Sequence, residues 1–202
     1  MTAGQPGVDG RTARRDRNSE AVLDAVRALF VEGTYTPTAE AVAARSGVSL
    51  RSVYRYFEDT DALLRAAIAR SMVVAGPLFV LPDAGVGTRD ERILRIVEHR
   101  LALYEAVAPE ARASIVRAPQ VPLIAEQLAL RRTQLGQQVA QHFAAEAKAA
   151  GGATGKALLA CVDTLLQFEA VDHLLTHGGL SRPRARRVLV TGLTALLAAA
   201  DR

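Results

Sequence analysis

The residues best equipped to meet a partner lie in one stretch, Thr38–Phe57, which reads TAEAVAARSGVSLRSVYRYF. At 100° per residue, Leu50, Val53 and Phe57 share one face of a short helix. Arg51, Ser52 and Arg55 take the opposite face, flanked by Tyr54 and Tyr56, and no acid lies between Ser49 and Phe57. An Arg side chain can bond O6 and N7 of guanine in two-pronged fashion. Tyr hydroxyls can reach phosphate oxygens, and their rings can touch thymine methyls. A helix with one apolar stripe and an exposed Arg/Ser/Tyr face suits the major groove of double-stranded DNA.

That helix needs elements to aim it. Val22, Val26, Leu29 and Phe30 recur at helical spacing and predict a first helix from about Ser19. Thr38 is a good N-cap for a second, short helix through Ser46, with Glu40 in its first turn. Gly47 can take the positive φ of a sharp turn, and Val48 plugs the corner. Ser49 caps the third helix, Leu50–Phe57, and Asp59 caps a fourth. The second and third form a helix-turn-helix, and the apolar stripe of the third can pack on Val26 and Phe30.

Other constellations are weaker. Ala150–Ala157, AGGATGKA, approaches a phosphate-binding loop, but Ala157 stands where a Ser or Thr hydroxyl would meet Mg²⁺. No strand precedes it, so it reads as a loop between helices. Glu169, His173 and His177 lie at i, i+4 and i+8 and read as a polar edge rather than a metal site. His142 reads as a partly exposed helix residue. Arg182, Arg184, Arg186 and Arg187 sit at the helix end that disfavours cations, which points to acids on a neighbouring helix. Cys161 is the single cysteine, so no intrachain disulfide is possible. No Ser/His/Asp elbow, HExxH or paired-Cys motif is present, and the chain reads as neither an enzyme nor a cofactor binder.

The 202 residues are 50% apolar and 23% charged, enough for a sizeable core. The formal net charge is +4. The apolar runs 72–81 and 188–200 fall short of the ~18 residues of a spanning helix, and the N-terminus lacks a signal core, which places the expected protein in the cytoplasm. Residues 1–17 read as a disordered basic arm, 18–70 as a helical unit around the turn, and 71–202 as a larger helical domain. Gly76–Gly87, rich in Gly and Pro, is the expected boundary. Beyond it the spacing predicts helices over 88–107, a short one after Pro109, then 122–149, 154–176 and 181–200. The fold class is all-α, with about nine helices.

The run Ala21–Ala69 resembles the DNA-binding domain of TetR-family transcriptional regulators. Phe30 and Tyr35 match the end of the family's first helix, AVAARSGVS its second helix and turn, SVYRYF its recognition helix, and DALL the opening of its fourth. The resemblance implies a homodimer that represses from a pseudo-palindromic operator and is released by a small molecule in the C-terminal domain. It also implies DNA contacts from Thr38, Ser49, Arg51, Ser52, Tyr54 and Tyr56 and from the start of helix 4. Arg55, on the same face, and Thr60 complete the candidate set. In three places the chain departs from the family's pattern. Gly33 sits one place early, the segment Tyr35–Val42 is short and holds Pro37, and Thr60 lies between Asp59 and Asp61 where the family has Lys. Helix 4 is therefore expected to contribute less, and the cations of Arg11–Arg17 more.

In the C-terminal half, His99, Arg100, Tyr104, Gln167 and Phe168 are the candidate polar and aromatic lining of a ligand pocket. Leu158, Leu165, Val171, Leu174 and Leu175, with Val188, Leu193, Leu196 and Leu197, predict a dimer through the last two long helices. The alternative is a helical small-molecule-binding or interaction protein that does not touch DNA; DNA retention and its salt dependence separate the two.

Overall fold

The computed structural model describes residues 10–198, and these contain ten α-helices and no strand. Helix α1, Gly10–Val31, begins earlier than the apolar spacing suggests. The expected unstructured arm is thus corrected in its second half: Arg14, Arg15 and Arg17 are exposed on α1. Arg is a good helix former and needs no buried neighbour to extend a turn. Residues 1–9 of that arm lie outside the described residues.

Helices α2 (Ala39–Ser46), α3 (Leu50–Tyr56) and α4 (Thr60–Ala75) follow with the predicted caps. The Thr38 hydroxyl accepts from the Ala41 N–H at 3.2 Å, and Asp59 Oδ1 accepts from the Ala62 N–H at 2.6 Å. Val22, Val26, Phe30, Val42, Val53, Leu63 and Leu64 form a first core around these four helices, with Leu50, Tyr35 and Phe57 packed on it. Ala113 of the next helix closes the same core.

α4 runs on through a 3₁₀ turn, Gly76–Phe79. Thr60–Phe79 is 20 residues long and apolar enough to pass for a membrane span by length and composition. It nevertheless carries Asp61, Arg65 and Arg70, buries Leu63, Leu64 and Ala67 in the first core, and ties Arg70 to Glu20 and Asp24.

A capping box of Thr88 and Glu91 opens α5, Arg89–Arg117, which runs unbroken through Pro109. The expected stop at Val107 does not occur. Val107, Ala108, Glu110 and Ala113 are buried on both sides of the proline, and that packing outweighs the ~3 kcal/mol a proline costs inside a helix. Where one helix was expected over 122–149, the chain breaks at Phe143 into α6 (Pro122–His142) and α7 (Ala144–Ala150). His142 is fully buried there, contrary to the expected partial exposure. Its Nδ1 accepts from the Gly85 N–H at 3.0 Å, and its Nε2 donates to the Arg92 carbonyl at 2.9 Å. The helix expected over 154–176 breaks at Gln167 into α8 (Gly152–Leu166) and α9 (Phe168–Asp172), which continues as a π turn, His173–His177. α10 spans Arg182–Ala198.

The second core joins Ile93, Val97, Leu101 and Tyr104 of α5 to Val139, Phe143, Leu158, Val162, Leu166, Leu189, Leu193 and Leu197. AGGATGKA holds the α7–α8 junction. A Cβ at Gly155 would collide with the Ala147 carbonyl, so this glycine serves the close crossing of two helices.

Candidate functional site

The turn between α2 and α3 is set by Gly47 at φ +68°, whose N–H reaches the Ala43 carbonyl at 3.1 Å. Glycine takes that left-handed conformation at the least steric cost. Ser49 then caps α3 and donates its hydroxyl to Ser52 Oγ at 3.1 Å. With Val53 buried, Arg51, Tyr54 and Arg55 are exposed, Tyr54 to 48%.

Tyr56 is half-buried beside them. Its hydroxyl oxygen accepts from Arg55 Nη2 at 3.0 Å and from Asn18 Nδ2 at 3.3 Å, and these bonds, that of Asn18 foremost, lower its pKa. Both neighbours donate, so the hydroxyl hydrogen is free for an acceptor such as a phosphate oxygen. Arg55 also stacks over the Tyr56 ring, 5.1 Å from its centroid, and bonds Ser52 Oγ at 3.4 Å. The Asn18–Tyr56 bond sets the start of α1 beside α3, which brings the helix carrying Arg14, Arg15 and Arg17 to the same side. Asn18 was not legible as a site residue, because its partner lies 38 positions away.

Thr60 is the first residue of α4. Of its two acidic neighbours, Asp59 is consumed by the helix cap, and Asp61 is ion-paired with Arg117 of α5.

A second feature lies in the larger unit. A cavity of about 650 Å³ opens among α4, α5, α6 and the α8–α9 junction. Arg100, Tyr104, Gln167 and Phe168, four of the five expected lining residues, are found there. His99 is the exception: its ring turns to the Val80 carbonyl, which Nε2 meets at 3.0 Å, because α5 presents it one residue round from Arg100. Tyr104 and Phe168 stack with centroids 5.2 Å apart. The Tyr104 hydroxyl donates to Asp172 Oδ1 at 2.7 Å, and burial raises its pKa. Arg112 grips the same oxygen from Nε at 3.0 Å and Nη2 at 2.6 Å. The break at Gln167 swings Phe168 into the cavity, which unbroken helical spacing did not foretell. Arg65 and Arg131 also line it and escaped the sequence reading, since charged residues on α4 and α6 read as solvated faces.

The remaining motifs are accounted for by packing and pairing. Glu169 is ion-paired with Arg132, and the His173 and His177 rings lie 5.8 Å apart. Among the described residues no group of three or more His, Cys, Asp or Glu is placed to hold a metal. Arg182 pairs with Glu98 at 2.8 Å and Glu105 at 2.9 Å, and Arg186 with Glu98, so the acids expected near that basic cluster are present.

Residues 22–67 match the family described as bacterial regulatory proteins, tetR family. This helix-turn-helix stretch is similar to the tetR-family domain. The match spans α2, the Gly47 turn and α3, with the last ten residues of α1 and the first half of α4. The fold of the whole chain is similar to a crystal structure from Mesorhizobium loti MAFF303099 that bears a TetR-family transcriptional regulator's name. The TM-score is 0.63 at 16% identity, over 92% of this chain and 98% of that one. Among curated proteins none matches the sequence. The likeness of residues 22–67 to this family supports a DNA-binding regulatory role for that stretch.

Proposed function

We propose that the protein is a ligand-responsive repressor in the cytoplasm. Two copies set their α3 helices in successive major grooves of a pseudo-palindromic operator. The observation that carries the reading is the acid-free face of α3, where Arg51, Tyr54 and Arg55 stand exposed behind a glycine turn. Arg51 reads a base edge; Thr38, Ser49, Ser52, Tyr54 and Tyr56 dock on phosphates or sugars; Arg55 holds Tyr56 in place; Thr60 offers the α4 N-terminus. The cavity holds an effector through Arg100, Tyr104, Gln167 and Phe168. α4 carries the response, because its first half packs in the DNA-binding core while Ile68, Met72 and Val73 line the cavity. A ligand shifts the spacing of the two α3 helices only as far as its affinity differs between the two states.

The dimer forms along α8 and α10. Ala157, Ala160, Cys161 and Thr164 of α8 are exposed in one stripe, and Val188, Thr191 and Ala195 of α10 in another. These small residues support the interface. Leu158, Leu193 and Leu197, expected there from sequence, are buried within the protomer's own core.

The test is selection of bound duplexes from a random library, followed by binding at several salt concentrations. A two-fold-related pair of half-sites one helical turn or a multiple apart is expected, with affinity falling steeply as salt rises. Binding with no sequence preference would contradict the reading.

A further inference from the structure

The chemical class of the effector is written in the surroundings of Arg100. This side chain is only 3% exposed, lines the cavity and makes no salt bridge among the described residues, although the Asp163 carboxylate is near enough to favour its charge. A guanidinium has five N–H donors. Nη1 bonds Gln138 Oε1 at 2.9 Å and His99 Nδ1 at 3.4 Å; Nη2 bonds the Leu135 carbonyl at 3.0 Å. His99 Nε2 donates to the Val80 carbonyl, so Nδ1 is the lone-pair nitrogen, and burial followed by the Arg100 charge lowers the pKa of this ring. Nη1 is therefore fully used. Nε–H has no acceptor although it is buried, and one hydrogen of Nη2 remains. The Nε and Nη2 edge of a guanidinium is an edge that grips a carboxylate in two-pronged fashion. Burial also lowers the Arg100 pKa to about 10, against the opposing charge of Asp163, which leaves it cationic at neutral pH with the desolvation only partly offset.

The rest of the lining agrees. Glu169 is the only acid among the described lining residues and is engaged by Arg132. Arg65 makes no ion pair among the described residues, and Arg131 stacks over Phe79 at 4.7 Å. The walls are otherwise mostly apolar, among them Ile68, Leu103, Val107, Leu166 and Val171, and Val73 and Leu123 on the lining are 79% and 51% exposed.

We propose that the effector is an amphipathic carboxylate, a fatty-acid-like anion whose headgroup is held by Nε and Nη2 of Arg100 and whose chain fills the apolar cavity. This rests on the reading of the cavity as the effector site. The same headgroup position explains how binding reaches α4. Gln138, bonded to Arg100, also donates to the Phe79 carbonyl, and His99, bonded to Arg100, holds the Val80 carbonyl. Both carbonyls belong to the turn that ends α4. An anion that draws Arg100 toward itself loosens or re-aims these two ties.

The experiment is titration calorimetry of the full chain with dodecanoate, dodecanol and dodecyltrimethylammonium, each below its micelle threshold, alongside release of the selected duplex. Dodecanoate is expected to bind at least tenfold more tightly than dodecanol, and the cation not at all. Affinity should rise about threefold to fourfold per added CH₂ from octanoate to dodecanoate. Arg100→Gln should bring dodecanoate down to the affinity of dodecanol. If that variant does not fold, carbon-13 NMR of carboxyl-labelled dodecanoate on the native protein decides: the bound carboxyl should stay ionised to lower pH than the free one. Equal binding of acid and alcohol, or a carboxyl whose titration is unchanged, overturns the carboxylate while leaving the cavity as effector site. Absence of binding and of DNA release by all three overturns the carboxylate proposal. The cavity reading falls with it if neutral apolar molecules found by thermal shift also leave DNA binding unchanged.

Discussion

Arg27 on α1 and Glu110 on α5 meet at 2.8 Å across the junction between the two helical units, and the Glu110 side chain is wholly enclosed. Ser71 of α4 donates to the same carboxylate oxygen at 3.0 Å, while the other oxygen has no partner. One buried charge thus ties α1, α4 and α5 together, and Asp61–Arg117 adds a second tie between α4 and α5. Arg27→Ala leaves that carboxylate without its cation. Arg27 is half exposed, so solvent screens the pair, and a loss of about 1–3 kcal/mol in urea denaturation is expected. Arg27→Ala with Glu110→Gln removes the stranded charge and should recover most of the loss. A double variant no more stable than the single would show that the ion pair is not what holds the junction.

On the DNA face, Arg51→Ala should relax preference at one base position and cost about 1–3 kcal/mol of discrimination. Tyr56→Phe should weaken all duplexes alike, because it deletes the hydrogen that Asn18 and Arg55 leave free. Competition binding against a single-base substitution panel checks both. If both variants keep the native affinity and preference, α3 is not the reading helix.

The helix-turn-helix was legible because its determinants are local. A cap such as Thr38, Ser49 or Asp59 acts within three residues, and a left-handed glycine acts on its own dihedrals. What was not legible depends on partners far along the chain. Pro109 stays in helix because Glu110 and Ala113 are locked on the far side of it. Phe143 breaks a periodic run because His142 is claimed by Gly85 and Arg92. Gln167 breaks another, and the break delivers Phe168 to Tyr104. The face proposed to meet DNA could be read residue by residue, whereas the cavity required the packing.

Acid should destabilise the fold through the buried His142 and the partly buried His99. Burial lowers the pKa of His142 and of His99 below the ordinary 6.5. Between the folded and unfolded values the unfolded chain binds more protons, so stability is complete above about pH 6.5 and falls as pH drops through that window. Melting temperatures from pH 7.5 to 5 should decline for the native protein. The decline should be shallower, though not absent, for His142→Gln, since His99 still titrates. A variant profile parallel to the native one would show that His142 does not carry this dependence.

The proposed dimer interface is where the sequence reading needed most revision. Leu193 looked like an interface residue, yet it is fully buried in the protomer, so Leu193→Glu should unfold the chain rather than split it. The exposed stripes consist of smaller side chains. α8 and α10 pack side by side, with Gly192 set close against Leu165, and their outer faces present Ala157, Cys161, Val188 and Thr191. Small residues let two such helix pairs approach about a two-fold axis, and each charge introduced there is met by its own copy across that axis. Ala157→Glu with Thr191→Glu replaces exposed positions and should leave the melting temperature of the protomer nearly unchanged, since neither touches the core. In sedimentation the native protein should be dimeric at micromolar concentration and this variant monomeric, with operator affinity lost because one half-site alone is held weakly. A variant that stays dimeric would move the interface off α8 and α10.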